Sequence, residues 1–333
     1  MSKQWPAGLA RGWHPVAYLA DVGSKPIAAK LMGRPLVVFR DGETVGVLED
    51  RCPHRNVPLS AGRCVAGRVE CPYHGWQFDT AGSCRRVPGS LETVDLPVRA
   101  FPVRLDAGLV WTCLADDPAE FPDLPPEVLG AGYDSFWWPI GGSTGAIGDA
   151  LENLLDPMHS YFVHPGLVRQ SRQPQNMDIH FTATAGGCEA RFTEKRSGLT
   201  MLQRLTEGNR THSYARYWAP TTVQVAFDDA RGTMLATTVV FSPVDHDQTR
   251  PFTRFSTRKG KAPAWLKRAF LTLFHHPLVL QDRAMLRLQQ QNSERFGGPD
   301  YRPGPIDLFG RTIWDALNGR AIQPGEREFE LAG

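Results

Sequence analysis

Two short motifs in the first quarter of the chain constrain its fold more than any other feature. They are C-P-H at Cys52–His54 and C-P-Y-H at Cys71–His74, with sixteen residues between them. Each motif supplies one thiolate and one imidazole, and both groups bind transition metals. A tetrahedral zinc site accepts this set of donors, and so does an iron–sulfur cluster.

The distribution of the donors favours iron. Structural zinc sites with two Cys and two His usually group like ligands together. In a two-iron, two-sulfide cluster, one iron takes the two thiolates and the other takes the two imidazoles, so each motif gives one ligand to each iron. The other four cysteines lack any such spacing, and we expect them to be ordinary small apolar residues. They are Cys64, Cys84, Cys113 and Cys188.

A second candidate metal site follows in "ENLLDPMHSYFVHP", which has the form N-x2-D-x2-H-x4-H from Asn153 to His164. Two histidines and one carboxylate typically bind non-haem Fe(II) that activates O2. His159 and His164 would point about 140° apart on an ideal helix. They converge only if the helix ends between them, and Pro165 disfavours helical geometry at His164. Either histidine alone could equally be a packed or surface residue.

Together the two motifs resemble those of the Rieske non-haem iron oxygenases. "CPHR" and "CPYHGWQFD" match the cluster motif, and the second motif is similar to the mononuclear iron motif of that family. Val57 and Tyr73 stand where respiratory Rieske proteins carry an extra cysteine pair, so the resemblance is to the oxygenase and ferredoxin branch. The chain length is similar to that of the vanillate, dicamba and toluenesulfonate monooxygenases.

The resemblance implies a role for each candidate residue. It makes Asp282, in the helical stretch "LQDRAMLRLQQQN", the third iron ligand beside His159 and His164. Asp282 could instead be an exposed helix charge, and Asp300, Asp307 and Asp315 compete for the role. The cluster ligands are Cys52, His54, Cys71 and His74.

Two further residues carry expectations from the resemblance. Asp156 accepts a hydrogen bond from the outer ring nitrogen of His159 and bridges it to His74 of a neighbouring subunit, which implies a homotrimer. Asn153 faces the iron and orients O2 or substrate, with a structural hydrogen-bonding role as the alternative.

The implied activity is that of a terminal oxygenase that uses O2 and two electrons. We expect O-demethylation or methyl hydroxylation of an aromatic substrate; N-demethylation, C–H hydroxylation of a polycyclic or heterocyclic compound and ring cis-dihydroxylation remain open. An electron carrier with a ligand-binding domain and a zinc-stapled interaction protein are alternatives from other classes. The sequence has no G-x-G-x-x-G fingerprint, so NAD(P)H acts through a separate flavin and iron–sulfur reductase, with or without a ferredoxin.

Candidate binding surfaces are less specific. Residues expected around the substrate are Trp218, Phe227, Phe241, Phe255, Leu286 and Gln289. His275 and His276 are expected at the surface, with binding of an acidic substrate group as the alternative. Arginines near the cluster could receive the reductase or simply be solvated, namely Arg51, Arg55, Arg63, Arg68, Arg85 and Arg86.

The predicted fold is α+β, with a β-rich Rieske [2Fe-2S] domain over 1–116, a linker over 117–131 and a catalytic domain over 132–333. The catalytic domain is expected to be a START-like helix-grip fold, in which an antiparallel sheet holds a long helix. Pro277 should break or kink that helix, and the last ~40 residues should wrap the surface. The net charge of +2 gives no electrostatic reason to expect nucleic acid as a partner. No apolar run suggests a membrane span or secretory signal, and we expect a cytoplasmic protein.

Overall fold

The chain folds into two compact units. The computed structural model describes residues 4–92, 95–125, 130–142, 145–168, 172–174, 176–194 and 210–331. The first unit contains Ala10–Phe121 with the short segment Ser242–His246, and the second contains Pro122–Phe241 and Asp247–Gly333. Both are rich in β-strands, and a long helix lies in the second, as the α+β prediction requires.

Three small sheets build the first unit. Their strand orders are β1-β10-β9, β2-β3-β4 and β5-β6-β7-β8, and neighbouring strands pair antiparallel. Short strands joined by tight turns suit a scaffold that must present loops. The strands are β1 (His14–Tyr18), β2 (Ile27–Leu31), β3 (Arg34–Asp41), β4 (Thr44–Glu49), β5 (Arg63–Val65), β6 (Arg68–Glu70), β7 (Gln77–Phe78), β8 (Cys84–Arg86), β9 (Val103–Asp106) and β10 (Leu109–Thr112).

The hydrophobic core of the first unit reaches the metal-binding motifs. Val37 and Phe39 of β3 are fully buried because this central strand is covered on both faces. They belong to a cluster that also includes Phe78 and the two motif cysteines, Cys52 and Cys71. The cysteine ends of the two motifs are therefore anchored in the core. Strands β3 and β4 form a hairpin that turns at Asp41-Gly42, with Asp41 opposite Thr44.

An eight-stranded sheet forms the second unit, in the order β11-β17-β16-β15-β14-β13-β12-β18. Its strands are β11 (Tyr133–Trp138), β12 (Met177–Thr184), β13 (Gly187–Glu194), β14 (His212–Trp218), β15 (Thr222–Asp229), β16 (Gly232–Asp245), β17 (Gln248–Arg258) and β18 (Gly325–Leu331). The α-helices within the described residues are α1 (Ala7–Ala10), α2 (Ile147–Leu155), α3 (His159–Val163), α4 (Ala264–Arg295) and α5 (Gly310–Leu317). Helix α4 packs against β11, β17, α2 and α3.

Helix α4 runs unbroken through Pro277, so of the predicted break or kink the break does not occur. A proline removes one N–H donor and leaves the carbonyl four residues earlier without its helical partner. That carbonyl belongs to Leu273, whose side chain is 78% exposed. Water can satisfy the carbonyl on this outer face, while buried Leu271 and Leu286 hold the helix on its inner face.

The end of the chain is more regular than the sequence suggested. Instead of only wrapping the surface, it contributes α5 and the edge strand β18. Strand β18 pairs antiparallel with β12, from Gly325 opposite Ala183 to Leu331 opposite Met177. Helix α5 buries Ile313 and Leu317 and packs on β13. No helix within the described residues is long and apolar enough to cross a membrane.

Candidate metal centres

The two cysteine–histidine loops share one backbone design. In the first loop, Cys52 N–H donates to the carbonyl of Val57 at 2.9 Å, and Asn56 N–H donates back to Cys52 at 2.8 Å. In the second, Cys71 N–H donates to Trp76 at 2.8 Å, and Gly75 N–H donates to Cys71 at 3.1 Å. The loops are thus two copies of the same turn.

A left-handed residue closes each of these turns. Asn56 has φ +62° and Gly75 has φ +70°, a conformation that Gly and Asn adopt more easily than other residues. The residue type at these two positions is therefore set by backbone geometry. Identical turns leave each loop with its cysteine at the same place.

The four donors of the motifs divide by burial. Cys52 and Cys71 lie in the core at 1% and 3% exposure, whereas His54 and His74 are exposed. The two imidazole rings lie 4.6 Å apart between centroids, and the ring of His54 stacks on Trp76 at 4.8 Å. A centre held here would bind thiolates on its inner side and imidazoles on its outer side.

The electrostatics of the thiols suits a metal cluster. Burial is the main cause that raises the pKa of Cys52 to about 11, and the neighbouring thiol Cys71 raises it further. Backbone hydrogen bonds from His54 and Arg55 act in the opposite sense, favouring the thiolate. Two thiolates enclosed together need a cation between them, which a ferric or ferrous cluster supplies. The residues present therefore fit a mixed-ligand [2Fe-2S] cluster.

The second metal motif lies where a helix is interrupted. Helix α2 ends at Leu155, Asp156 adopts extended geometry with φ −71° and ψ 119°, and α3 begins at His159. Pro157 explains the break, because the residue before a proline is disfavoured in helical geometry. Asp156 therefore lies in the break between the two helices, and His159 is the first residue of the second. His164 follows α3 with φ −115° and ψ 44°, so it does project from a helix end, as expected.

The structure brings the three predicted iron ligands together. The donor atoms of His159, His164 and Asp282 all lie within 4.8 Å of one another. Asp282 Oδ1 is 3.0 Å from His164 Nε2 and 3.6 Å from His159 Nε2. The His164 side chain is 5% exposed and that of Asp282 is 20% exposed, so the carboxylate does not point into bulk solvent.

Outer hydrogen bonds fix how the two histidines face the carboxylate. Nδ1 of His159 lies 2.6 Å from the backbone carbonyl of Asp156, and Nδ1 of His164 lies 2.8 Å from Gln281 Oε1. Because both oxygens only accept, each Nδ1 carries the proton and each neutral ring presents a lone pair at Nε2. Both lone pairs point towards the same carboxylate oxygen.

Such an arrangement calls for positive charge at its centre. Asp282 Oδ1 is enclosed by the protein and has no hydrogen-bond donor among the described residues. Burial lowers the pKa of His164, but the nearby Asp282 carboxylate outweighs it, and the net pKa lies above its ordinary value. The carboxylate thus attracts a cation to the point that both Nε2 atoms face. Two imidazoles and one carboxylate fit Fe(II).

The competing aspartates have other partners. Asp300 pairs with Arg302 at 3.5 Å, and Asp315 pairs with Arg320 at 3.5 Å. Asp307 accepts a hydrogen bond from Gly304 N–H at 2.5 Å. The geometry brings Asp282 to the two histidines and gives these three carboxylates separate local roles.

Asp156 acts on His159 differently from the expectation. The carbonyl of Asp156, not its carboxylate, accepts from the His159 ring, since the nearest carboxylate oxygen lies 3.9 Å from Nδ1. The carboxylate caps α3 by accepting from the N–H groups of Met158 and His159 at 2.7 and 3.1 Å. Asn153 is half-buried on α2.

Sequence reasoning missed Gln281 as a functional residue. It lies directly before Asp282 on α4, and its amide oxygen orients His164. Only its adjacency to a candidate ligand offered a clue, because the contact joins residues 117 positions apart.

Comparison with known families agrees with this geometry. A model of the Rieske [2Fe-2S] domain matches residues 12–102, and a model of the vanillate O-demethylase oxygenase C-terminal domain matches residues 149–305. The chain thus combines a Rieske [2Fe-2S] domain with a domain of the vanillate O-demethylase oxygenase C-terminal type. The first match includes all four cluster candidates, and the second includes all three iron candidates.

Similar proteins within the Rieske oxygenases include demethylases. Methylxanthine N1-demethylase NdmA of Pseudomonas putida is 32% identical over 177 residues, covering 48% of each chain. The oxygenase component of dicamba O-demethylase from Stenotrophomonas maltophilia is 33% identical over 166 residues, covering 47% of this chain and 48% of that one. The match thus spans about half the length of these two curated relatives.

Solved structures extend the likeness in fold to nearly the whole chain. Dicamba monooxygenase bound to dicamba superposes with a TM-score of 0.78, at 20% identity, over 93% of this chain and 97% of that one. At this identity the likeness concerns the fold. It agrees with the predicted combination of a Rieske domain and a catalytic domain in which a sheet accompanies a long helix.

Proposed function

We propose that this chain is the terminal oxygenase of a multicomponent Rieske system that oxidatively demethylates a methoxy-aromatic substrate. Residues 1–116 would transfer electrons and residues 132–333 would carry out the chemistry, with 117–131 as the linker. The observation that carries the proposal is the convergence of His159, His164 and Asp282 in a chain that also holds the cluster motifs. An electron carrier or a zinc-stapled protein needs no such second centre.

Different residues of the chain would hold the cluster and the mononuclear iron. When bound, the two iron centres supply single-electron transfer and O2 activation. Cys52, Cys71, His54 and His74 would hold the cluster, with the two imidazoles at the exposed side that a donor can approach. His159 and His164 keep their Nε2 lone pairs directed at the iron position because Asp156 and Gln281 hold their Nδ1 protons.

The overall reaction balances with two electrons. An aryl methyl ether, O2, two electrons and two protons give a phenol, formaldehyde and water. The methyl C–H bond is hydroxylated, and the resulting hemiacetal releases formaldehyde as its C–O bond to the ring oxygen breaks. The electrons come from NAD(P)H through a separate reductase, with or without a ferredoxin. The arginines near the cluster are our candidate docking residues for that partner.

N-demethylation is the second candidate, and the similarity to the N-demethylase NdmA favours it. It would use the same sites, with a hemiaminal in place of the hemiacetal. The substrate alone separates the two reactions.

A turnover assay tests the proposal. The holoenzyme with a flavin and iron–sulfur reductase and NADH should release formaldehyde from methoxy-aromatics in an O2-dependent manner. Asp282→Ala should retain the cluster absorbance and lose formaldehyde release. Formaldehyde from N-methyl heterocycles alone would select the second candidate. Diol formation without formaldehyde, or full turnover by Asp282→Ala, would contradict the proposal.

We also propose a homotrimer with a head-to-tail contact, in which Asp156 links His159 of one subunit to the cluster histidine His74 of the next. The support is local. Two backbone N–H groups already hold the Asp156 carboxylate beside His159, and His74 is exposed.

Asn153 is proposed to orient O2 or substrate at the iron. The scattered cysteines favour the cytoplasm as the location.

A further inference from the structure

His275 lies on the same face of α4 as the candidate iron ligand Asp282. Seven residues, or about two helical turns, separate them, which corresponds to about 10 Å along the helix axis. The ring of His275 contacts Phe255 of β17, with 4.6 Å between ring centroids. This face of α4 is therefore turned towards the sheet, and His275 is not the surface residue that the sequence suggested.

The hydrogen bonding of His275 determines what its ring can offer. Nδ1 lies 2.9 Å from the backbone carbonyl of Leu271. Since a carbonyl only accepts, Nδ1 carries the proton and Nε2 of the neutral ring is an acceptor. Burial lowers the pKa of His275 to about 4, so the ring is neutral at pH 7. A neutral ring with an acceptor at Nε2 gives a carboxylate no donor, which rules out the acidic-group role considered for His275.

Nε2 itself remains available. The bond to Leu271 is the ring's hydrogen bond within the described part of the chain. Nε2 is also not among the unpartnered polar atoms that the protein encloses completely. On a ring that lies against the sheet, such a lone pair is suited to a hydrogen-bond donor on a ligand.

Aromatic side chains lie on the part of the sheet that His275 contacts. Phe136 and Trp138 of β11 pack against Phe255 at centroid distances of 5.7 and 5.6 Å. Flat aromatic groups pack well against such rings. An aromatic ligand lying along this face of α4 would reach from His275 to the candidate iron ligand Asp282, about 10 Å along the helix axis.

We propose that His275 Nε2 accepts a hydrogen bond from a neutral donor on the aromatic substrate, a phenolic hydroxyl or a ring N–H, and so selects substrates that carry one. The proposal rests on the proposed function for the direction of the substrate, whose reacting methyl group points towards Asp282. His275 is a specificity-determining residue in this arrangement and takes no part in the chemistry at iron.

Anaerobic binding to the holoenzyme tests the proposal with two matched pairs of compounds. The pairs are 4-methoxyphenol against 4-methoxytoluene, and 5-methoxyindole against 5-methoxy-1-methylindole. Leaving a buried acceptor unpaired costs enough to weaken binding about tenfold. We expect the donor-bearing member of one pair to bind about tenfold more tightly, and the pair that discriminates identifies the donor as O–H or N–H. Equal affinities within both pairs would overturn the proposal.

Variants assign the discrimination to the residue. His275→Leu should abolish the preference, and His275→Gln, whose amide oxygen accepts, should retain part of it. His276→Leu is the matched control, since His276 is the exposed neighbour and should leave the preference unchanged. Cluster absorbance and bound iron report whether each variant folds. The assignment would be refuted if His275→Leu kept the preference for the donor-bearing compound. Loss of that preference in His276→Leu would also refute it.

Binding and turnover separate this inference from the proposed function. Discrimination that depends on His275 without formaldehyde release would support the inference and refute demethylation. Formaldehyde release from both members of each pair, with equal affinities and equal kcat/KM, would support demethylation and refute the inference about His275.

Discussion

At the scale of single residues, the candidate iron site depends on groups that do not touch the metal. The backbone carbonyl of Asp156, at the break between α2 and α3, orients His159, and the side-chain amide of Gln281 on α4 orients His164. Both leave Nε2 as the lone pair that faces Asp282. Gln281, which precedes the candidate ligand Asp282, thus positions His164, a candidate ligand 117 positions away in the sequence.

Gln281 offers a direct test of that positioning. Replacing it by Leu removes the acceptor for the His164 Nδ1 proton, and we expect iron affinity to fall about 10- to 100-fold. Gln281→Glu keeps an acceptor and should bind iron at least as well as the wild type. Iron titration of the cluster-loaded protein measures both. Undiminished iron affinity in Gln281→Leu would show that the hydrogen bond does not hold the ligand.

At the scale of secondary-structure elements, two prolines have opposite effects. Pro157 ends α2 because Asp156 before it adopts extended geometry, and the break lets α3 start anew at His159. Pro277 lies inside α4 and does not end it, because the carbonyl it leaves unpaired is on the exposed side. Local rules predict a disturbance at both prolines, and the surrounding packing decides its extent.

The cost of Pro277 is measurable. Pro277→Ala restores an N–H donor inside α4, and we expect the free energy of unfolding of the second unit to rise by about 1 kcal/mol or more. Arg287→Ala, an exposed change in the same helix, should alter it by less than about 0.5 kcal/mol. Urea denaturation followed by far-UV circular dichroism measures both. A destabilised Pro277→Ala variant would mean that the proline fits a bend that α4 needs.

At the scale of the whole molecule, the proposed trimer makes each active site a product of two subunits. The cluster of one chain would serve the iron of the next. A subunit that cannot hold a cluster could then still act if its neighbour supplies the electrons. Two inactive variants of one chain would therefore repair each other only in mixed assemblies.

Complementation between subunits tests this arrangement. Cys52→Ser should abolish the cluster and Asp282→Ala the iron, and each homotrimer should be inactive. Co-expression of the two in equal amounts should restore about a quarter of wild-type turnover, because a functional interface needs an intact cluster on one side and intact iron on the other. Light scattering gives the assembly size. Mixed trimers without activity would place electron transfer within one chain.

The sequence by itself determined which residues are candidate metal ligands. Metal ligands are specific residue types at short spacings, so the candidates Cys52, His54, Cys71, His74, His159 and His164 could be identified from the sequence. Strand alternation, turn residues and helical periodicity likewise predicted an α+β fold with a long helix that carries Asp282. Asp282 needed the family resemblance, since one aspartate on a helix looks like any other. The tertiary structure alone decided that Gln281 orients His164, that His275 packs against Phe255, that α4 continues through Pro277 and that residues 325–331 complete the sheet. Each of these depends on contacts between distant residues or on burial, and a local pattern contains neither.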